Sequence, residues 1–163
     1  MMPLEVLGRV CNGSYTWRIE NFTQCRQDAV TGVATEMYSP AFYTSQDGYK
    51  LCVRINLNGV DSGAGKHIAV FVHMMQGDFD AILKWPFTAT IILSILDQSD
   101  QNERDDITET LVPEPSMKTF QRPTTSPSPT ASGFPHFVPI EKICEGKYVK
   151  NNTMFFRAEV LRQ

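Results

Sequence analysis

Two alternating runs joined by a glycine-rich turn constrain this chain more than any other feature. In Tyr49 to Leu57 the apolar Leu51, Val53, Ile55 and Leu57 take one side and Lys50, Cys52, Arg54 and Asn56 the other, the period of a strand with one buried face. His67 to Met75 repeats the pattern, with Ile68, Val70, Val72 and Met74 directed one way and Ala69, Phe71 and His73 the other. Asn58-Gly59 and Gly63 to Gly65 supply the turn between them, so the two runs should pair antiparallel. A lone hairpin cannot bury its apolar face, and a second layer is required.

The rest of the chain offers that layer. Thr90 to Asp97 is nearly all aliphatic and too short for most helices, as expected of a strand covered on both faces in the middle of a sandwich. Tyr15 to Glu20, Met37 to Thr44, Phe134 to Val138 and Met154 to Leu161 are rich in aromatic and branched residues and also read as strands. Helix signals are meagre: Asp78 to Leu83 offers a turn or two before Pro86, and Pro139 to Cys144 another with proline leading. The expectation is an all-β antiparallel sandwich of seven or eight short strands. At 163 residues the chain has the length of one domain and can form a core without disulfide staples. Gln121 to Gly133 holds three prolines, many hydroxyls and one charge, and should form a long surface connection. Residues 1–10 carry Leu4 and Leu7 at near-helical spacing and are expected to be a linker or the end of a preceding coiled coil, with the domain itself spanning 11–163.

Several function classes recede on composition and spacing. Fifteen basic against 18 acidic residues leave a net charge of -3, a poor footprint for nucleic acid. No window reaches the length of a membrane span, so no membrane insertion is expected. Residues 1–10 lack a basic flank followed by an apolar stretch, and a cytoplasmic address is expected. Cys11, Cys25, Cys52 and Cys144 are scattered without a C-x-x-C pair, as for reduced thiols and not for a zinc cage. Gly65-Lys66 invites a phosphate-loop reading, but Val60 stands at the first glycine and His67 at the magnesium hydroxyl. His67 and His73 share a strand face about 20 Å apart and cannot hold one metal together. Asp97, Asp100, Asp105 and Asp106 read as solvated loop carboxylates. Cys52 beside a neighbouring-strand histidine lacks an orienting third group. No enzyme and no cofactor are expected.

The remaining lead is an edge. Pro135 and Pro139 bracket Phe137, and proline within a sheet is confined to an edge strand. An edge carries unpaired N–H and C=O groups that can take up a partner's extended chain. Gly133 just ahead would let a partner's backbone approach, Phe134 and Phe71 could wall a pocket, and Arg54 supplies a cation.

Motifs strung along the chain add a family. Asn12-Gly13 with Tyr15-Thr16-Trp17-Arg18-Ile19, then Ser39-Pro40-Ala41-Phe42-Tyr43-Thr44, Gly48-Tyr49-Lys50-Leu51-Cys52, Trp85-Pro86-Phe87, Leu96-Asp97-Gln98-Ser99, Phe120-Gln121-Arg122-Pro123 and Tyr148-Val149-Lys150 with Phe155 closely resemble the C-terminal domain of the tumour necrosis factor receptor-associated factors, the TRAF type of MATH domain. The resemblance covers about residues 11 to 161 in order. It implies an eight-stranded antiparallel β-sandwich that binds short extended peptides along an edge strand. The implied partners are cytoplasmic tails of tumour necrosis factor, Toll and interleukin-1 receptor types and their adaptors, with a homotrimer formed through an upstream coiled coil. The ubiquitin-ligase activity of the family belongs to a RING that this chain does not encode.

Carried over residue by residue, the resemblance places Arg54, Phe71, Ser132 and Gly133 at the peptide site. The class that reads Pro-x-Gln/Glu-Glu uses a tyrosine, an aspartate and three serines where this chain has Asn56, Val60 and Met117-Lys118-Thr119. The class that reads Pro-x-Glu followed after two residues by an aromatic or acidic residue has a Phe-x-Tyr pair matching Phe134 and His136, around Pro135. Its ligand glutamate meets main-chain N–H groups at Lys118 and Thr119, and Arg54 meets the aromatic or acidic residue. The favoured expectation is this second class; the alternatives are the first class, or a degenerate groove with a self-association or architectural role.

Overall fold

The computed structural model describes residues 13–161 apart from 101. The expected linker at 1–10 lies outside that range. The elements are β1 (Ser14–Ile19), α1 (Phe22–Thr31), β2 (Met37–Tyr38), β3 (Phe42–Tyr43), β4 (Lys50–Asn56), β5 (His67–Met75), β6 (Ile91–Ile95), β7 (Ile107–Leu111), β8 (Ser132–Pro139), α2 (Ile140–Ile143) and β9 (Met154–Val160). Three short 3-10 turns join them, at Asp61–Gly63, Asp80–Ile82 and Lys118–Phe120.

One sheet runs β1-β9-β6-β7 and the other β2-β4-β5-β8, with β3 also on β4, and every pairing is antiparallel. Leu51, Val53 and Ile55 of β4 and Ile68, Val70, Val72 and Met74 of β5 are buried, as their alternation requires. They meet Ile91, Leu93 and Ile95 of β6 and Met154, Phe156 and Ala158 of β9 in one core. Gly59 at φ 77 makes the turn, where a side chain would meet Gly63 O and His67 O at 2.5 Å.

The stretch Met37 to Thr44 is not one strand. Pro40 lacks an N–H, and the pairing breaks there. Ser39 bridges the gap: its Oγ accepts the Val53 N–H at 2.9 Å while its own N–H donates to Val53 O at 2.8 Å. Counted as one interrupted strand, β2 and β3 bring the total to the expected eight.

Two elements had no sequence signal. In β7, Glu109 stands opposite Leu93 on the inner side, so the alternation is spoiled by the inward charge that protects an exposed edge. Helix α1 buries only Ala29, and its leading residue Asn21 makes no side-chain cap. The cap comes from the turn before β9: Asn152 Oδ1 accepts from Thr23 N and Thr23 Oγ1, both at 2.8 Å, and Asn152 O accepts the Phe22 N–H at 2.9 Å. Asn151 and Asn152 sit at φ 53 and 56, a left-handed region that asparagine tolerates better than other side chains.

Asp97 corrects another expectation. It is buried, not solvated, and its carboxylate accepts N–H groups from Ser99 and Asp105, each at 2.8 Å. Hydrogen bonding from Ser99 and from the Asp105 backbone pulls its pKa down to about 2. The connection after Gln121 carries no regular element until β8, as expected, but it is anchored: Ser128 is buried and its N–H donates to Met74 O at 2.9 Å. Among the described residues no helix is long and apolar enough to cross a membrane.

Candidate peptide-binding groove

Register brings the outer-face candidates into one row. Tyr38 of β2 lies opposite Arg54 of β4, Arg54 opposite Phe71 of β5, and Phe71 opposite Gly133 of β8. Directly opposed residues point to the same side of a sheet, so the row forms a continuous outer surface. The Arg54 guanidinium lies 4.4 Å from the centre of the Phe71 ring, a cation-π contact. Tyr38 donates to Glu36 Oε2 at 2.7 Å, and this bond, ahead of burial, raises the phenol's pKa. Neither Tyr38 nor Glu36 had been singled out in the sequence; pairing β2 with β4 would have placed Tyr38 beside Arg54.

In the next row of the same outer face Cys52 and His73 oppose one another, and both are buried. Burial pushes the Cys52 thiol up to about 11. Burial also lowers the pKa of His73, whose Nδ1 is committed to Ser128 O at 2.9 Å. This pair holds a protonated thiol and a poor base, the reverse of an activated nucleophile. Cys25, Cys52 and Cys144 are free thiols.

β8 pairs with β5 on one side and, among the described residues, with no strand on the other. Ser132 and Phe134 lie opposite Val72 and Val70, so they turn to the inner side, half-buried at the rim of the sandwich. Ser132 Oγ donates to Thr119 Oγ1 at 2.9 Å, which ties the start of β8 to the 3-10 turn Lys118–Phe120. Lys118 is exposed and Thr119 buried. Their N–H groups open that turn and so have no carbonyl within it to bond. The Phe134 ring packs edge-on to Phe137 at 6.2 Å, so it is a rim residue of the core as well as a candidate wall.

Three placements differ from expectation. Gly133 is demanded by the strand behind it: a Cβ would lie 2.0 Å from Val70 O and 2.7 Å from Phe71 Cα. The need for glycine thus arises inside the domain, without any ligand. Pro135 and His136 sit within a register shift in the β5–β8 ladder, apart from the Arg54 row. The turn Asp61–Gly63 abuts them there: a Cβ on Gly63 would lie 2.8 Å from Pro135 O, and Ser62 Oγ is 2.9 Å from His136 Nε2. His136 also stacks on His67 at 4.6 Å. The open stretch of β8 is therefore Ser132 to Phe134, with His136 at its far border.

A strand laid beside that stretch would send alternate side chains to the outer face and to the rim. One set would meet Arg54 and Phe71, and the other Ser132, Thr119 and Phe134.

Comparison with known proteins agrees with this architecture. Residues 34–157 match the TRAF/meprin MATH domain. Human TNF receptor-associated factor 2 is 39% identical over 158 residues, 96% of this chain and 31% of that protein. Mouse TNF receptor-associated factor 1 is 40% identical over 151 residues, 91% of this chain and 36% of that protein. Xenopus laevis TNF receptor-associated factor 6-A is 39% identical over 151 residues, 92% of this chain and 27% of that protein. The chain thus spans about a third of the length of these curated relatives. Among solved structures, Notothenia coriiceps TRAF5 superimposes with a TM-score of 0.92 at 36% identity, covering 98% of this chain and 78% of that one. With the sandwich, the motifs and these similarities in agreement, the chain belongs to the TRAF/meprin MATH-domain family, in its TNF receptor-associated factor branch.

Proposed function

We propose that this domain is an adaptor module that adds a short extended peptide to the open edge of β8. The ligand is of the Pro-x-Glu-x-x-aromatic or acidic type, carried by cytoplasmic tails of tumour necrosis factor, Toll or interleukin-1 receptor types and by their adaptors. The observation that carries this reading is the unpaired edge from Ser132 to Phe134, flanked by the Lys118–Phe120 turn and the Arg54–Phe71 pair. The ligand proline sits at Phe134 and His136, beside Pro135. Its glutamate meets the Lys118 and Thr119 N–H groups, and its aromatic or acidic residue meets Arg54. Asn56 disfavours the Pro-x-Gln/Glu-Glu class, because it is buried and its Nδ2 donates to Thr35 O at 3.2 Å. A six-residue ligand buries little area against the entropy of association, so one site binds weakly. Trimerisation through an upstream coiled coil would raise avidity by about 10² to 10⁴.

Titration of a labelled Pro-x-Glu-x-x-aromatic peptide tests the site. Arg54→Ala should weaken binding by about 2- to 30-fold, the range of a cation-π contact of about 0.5 to 2 kcal/mol. Unchanged affinity in both Arg54→Ala and Phe134→Ala would refute the groove.

A further inference from the structure

A cleft of about 560 Å³ opens at one end of the sandwich, lined chiefly by Arg26 of α1, Lys66 and His67 at the start of β5, and Pro139, Ile140 and Glu141. Two lining nitrogens, Arg26 Nε and His67 Nδ1, are buried without a hydrogen-bond partner. Buried polar side-chain atoms are satisfied in the large majority of cases, so two on one cleft mark a missing partner, for Arg26 Nε an acceptor. Arg26 and Lys66 form no ion pair among the described residues, although Glu141 lines the same cleft.

We propose that this cleft binds a phosphoryl group. Three elements of the charge pattern select that chemistry. The guanidinium is a planar fork that matches anionic oxygens, Lys66 adds a mobile point charge, and His67 donates from Nδ1 when that nitrogen carries its proton. A carboxylate offers two oxygens in one plane, which one arginine fork satisfies. A phosphoryl group offers three, and so uses donors arriving from separate elements. The turn itself contributes no donor, because Gly65 N bonds Asn58 O at 2.7 Å and Lys66 N bonds Gly63 O at 2.9 Å. It does hold the cleft in shape, since Lys66 O accepts the Ile140 N–H at 2.9 Å and so ties the turn to the start of α2. The site lies at the far end of β8 from the Ser132 to Phe134 edge, joined to it through Pro139 and the stacking of His67 on His136.

The test is a backbone amide NMR titration of the 163-residue chain with inorganic phosphate and with phenyl phosphate, against acetate as a control. Saturable shifts should be confined to Gly65, Lys66, His67 and Ile140. Arg26→Gln and the exposed Lys66→Gln should each weaken binding about tenfold. Glu141→Gln should tighten it severalfold by removing the opposing charge. Neither Lys66→Gln nor Glu141→Gln should alter affinity for the groove peptide, which separates failure of this site from failure of the groove. Cosedimentation with phosphatidylcholine vesicles with and without phosphatidylinositol 4-phosphate identifies the source. Lipid-dependent binding weakened in Lys66→Gln assigns the phosphoryl group to a headgroup, and binding of the soluble probes alone assigns it to a soluble phosphomonoester; either supports the proposal. No shifts, shifts that fail to saturate or that equal those with acetate, or an affinity unchanged in Lys66→Gln would overturn it.

Discussion

Replacing Gly133 by alanine should unseat β8 from β5. The added Cβ would stand 2.0 Å from Val70 O and 2.7 Å from Phe71 Cα, where ordinary contact begins at 3.4 Å. Both obstructing atoms are backbone, so no rotamer change relieves them, and one strand must move by more than an ångström. Overpacking of this kind costs about 1–3 kcal/mol. In a domain of this size each kcal/mol is worth about 2–4 °C of Tm, so Gly133→Ala should melt about 2–12 °C below the parent. Because β8 has no other strand partner among the described residues, the loss should show first as faster amide exchange along Ser132 to Val138. Calorimetry gives the first quantity and NMR exchange the second. A variant that melts like the parent yet no longer takes peptide would show that β5 does not demand glycine here. Such a result would return Gly133 to the role expected from sequence, room for a ligand's backbone.

Asn152→Ala removes the distant cap of α1 and places alanine at φ 56, so it should cost about 2–3 kcal/mol, whereas Asn152→Gly should cost about 1; equal melting temperatures would refute the capping account. The lowered pKa of Asp97 makes its contribution to stability full above its ordinary value of 3.8 and lost as pH falls towards about 2. Asp97→Asn should therefore be less stable at pH 6 and should lose this part of the acid limb, read by thermal melts from pH 2 to 6. Phe71→Leu and Arg54→Ala should couple by about 0.5–1 kcal/mol in a double-mutant cycle on stability, and strict additivity would contradict the contact seen at 4.4 Å. A maleimide should label exposed Cys144 well before buried Cys52, whose thiol pKa is pushed up to about 11; mass spectrometry of the first adduct decides it.

The parts of this fold legible in sequence are those where one strand face is buried and the other is not. His67 to Met75 has the observed bounds of β5, and Leu51, Val53 and Ile55 of β4 all reach the core. What stayed hidden carried no regular period or cap signal in its own segment. α1 takes its cap from Asn152, 129 positions beyond Thr23. β7 hides its period behind the inward Glu109, and Asp97 has its donors in the backbone of the next turn. For the site, alternation placed Arg54 and Phe71 on one face, but their contact depends on register, which the turn length alone did not settle. The glycine at 133 was legible as a close approach; which backbone approaches was not.

On the proposed function the Ser132 to Phe134 edge stands ready for a foreign strand. Amide exchange of β8 measured with and without a Pro-x-Glu-x-x-aromatic peptide tests it most directly. The N–H groups of that stretch not bonded to β5 should exchange quickly in the free domain and become protected on addition of peptide, while those of β7, the guarded edge of the other sheet, stay unchanged. Protection already present without peptide, and unmoved by it, would contradict the account.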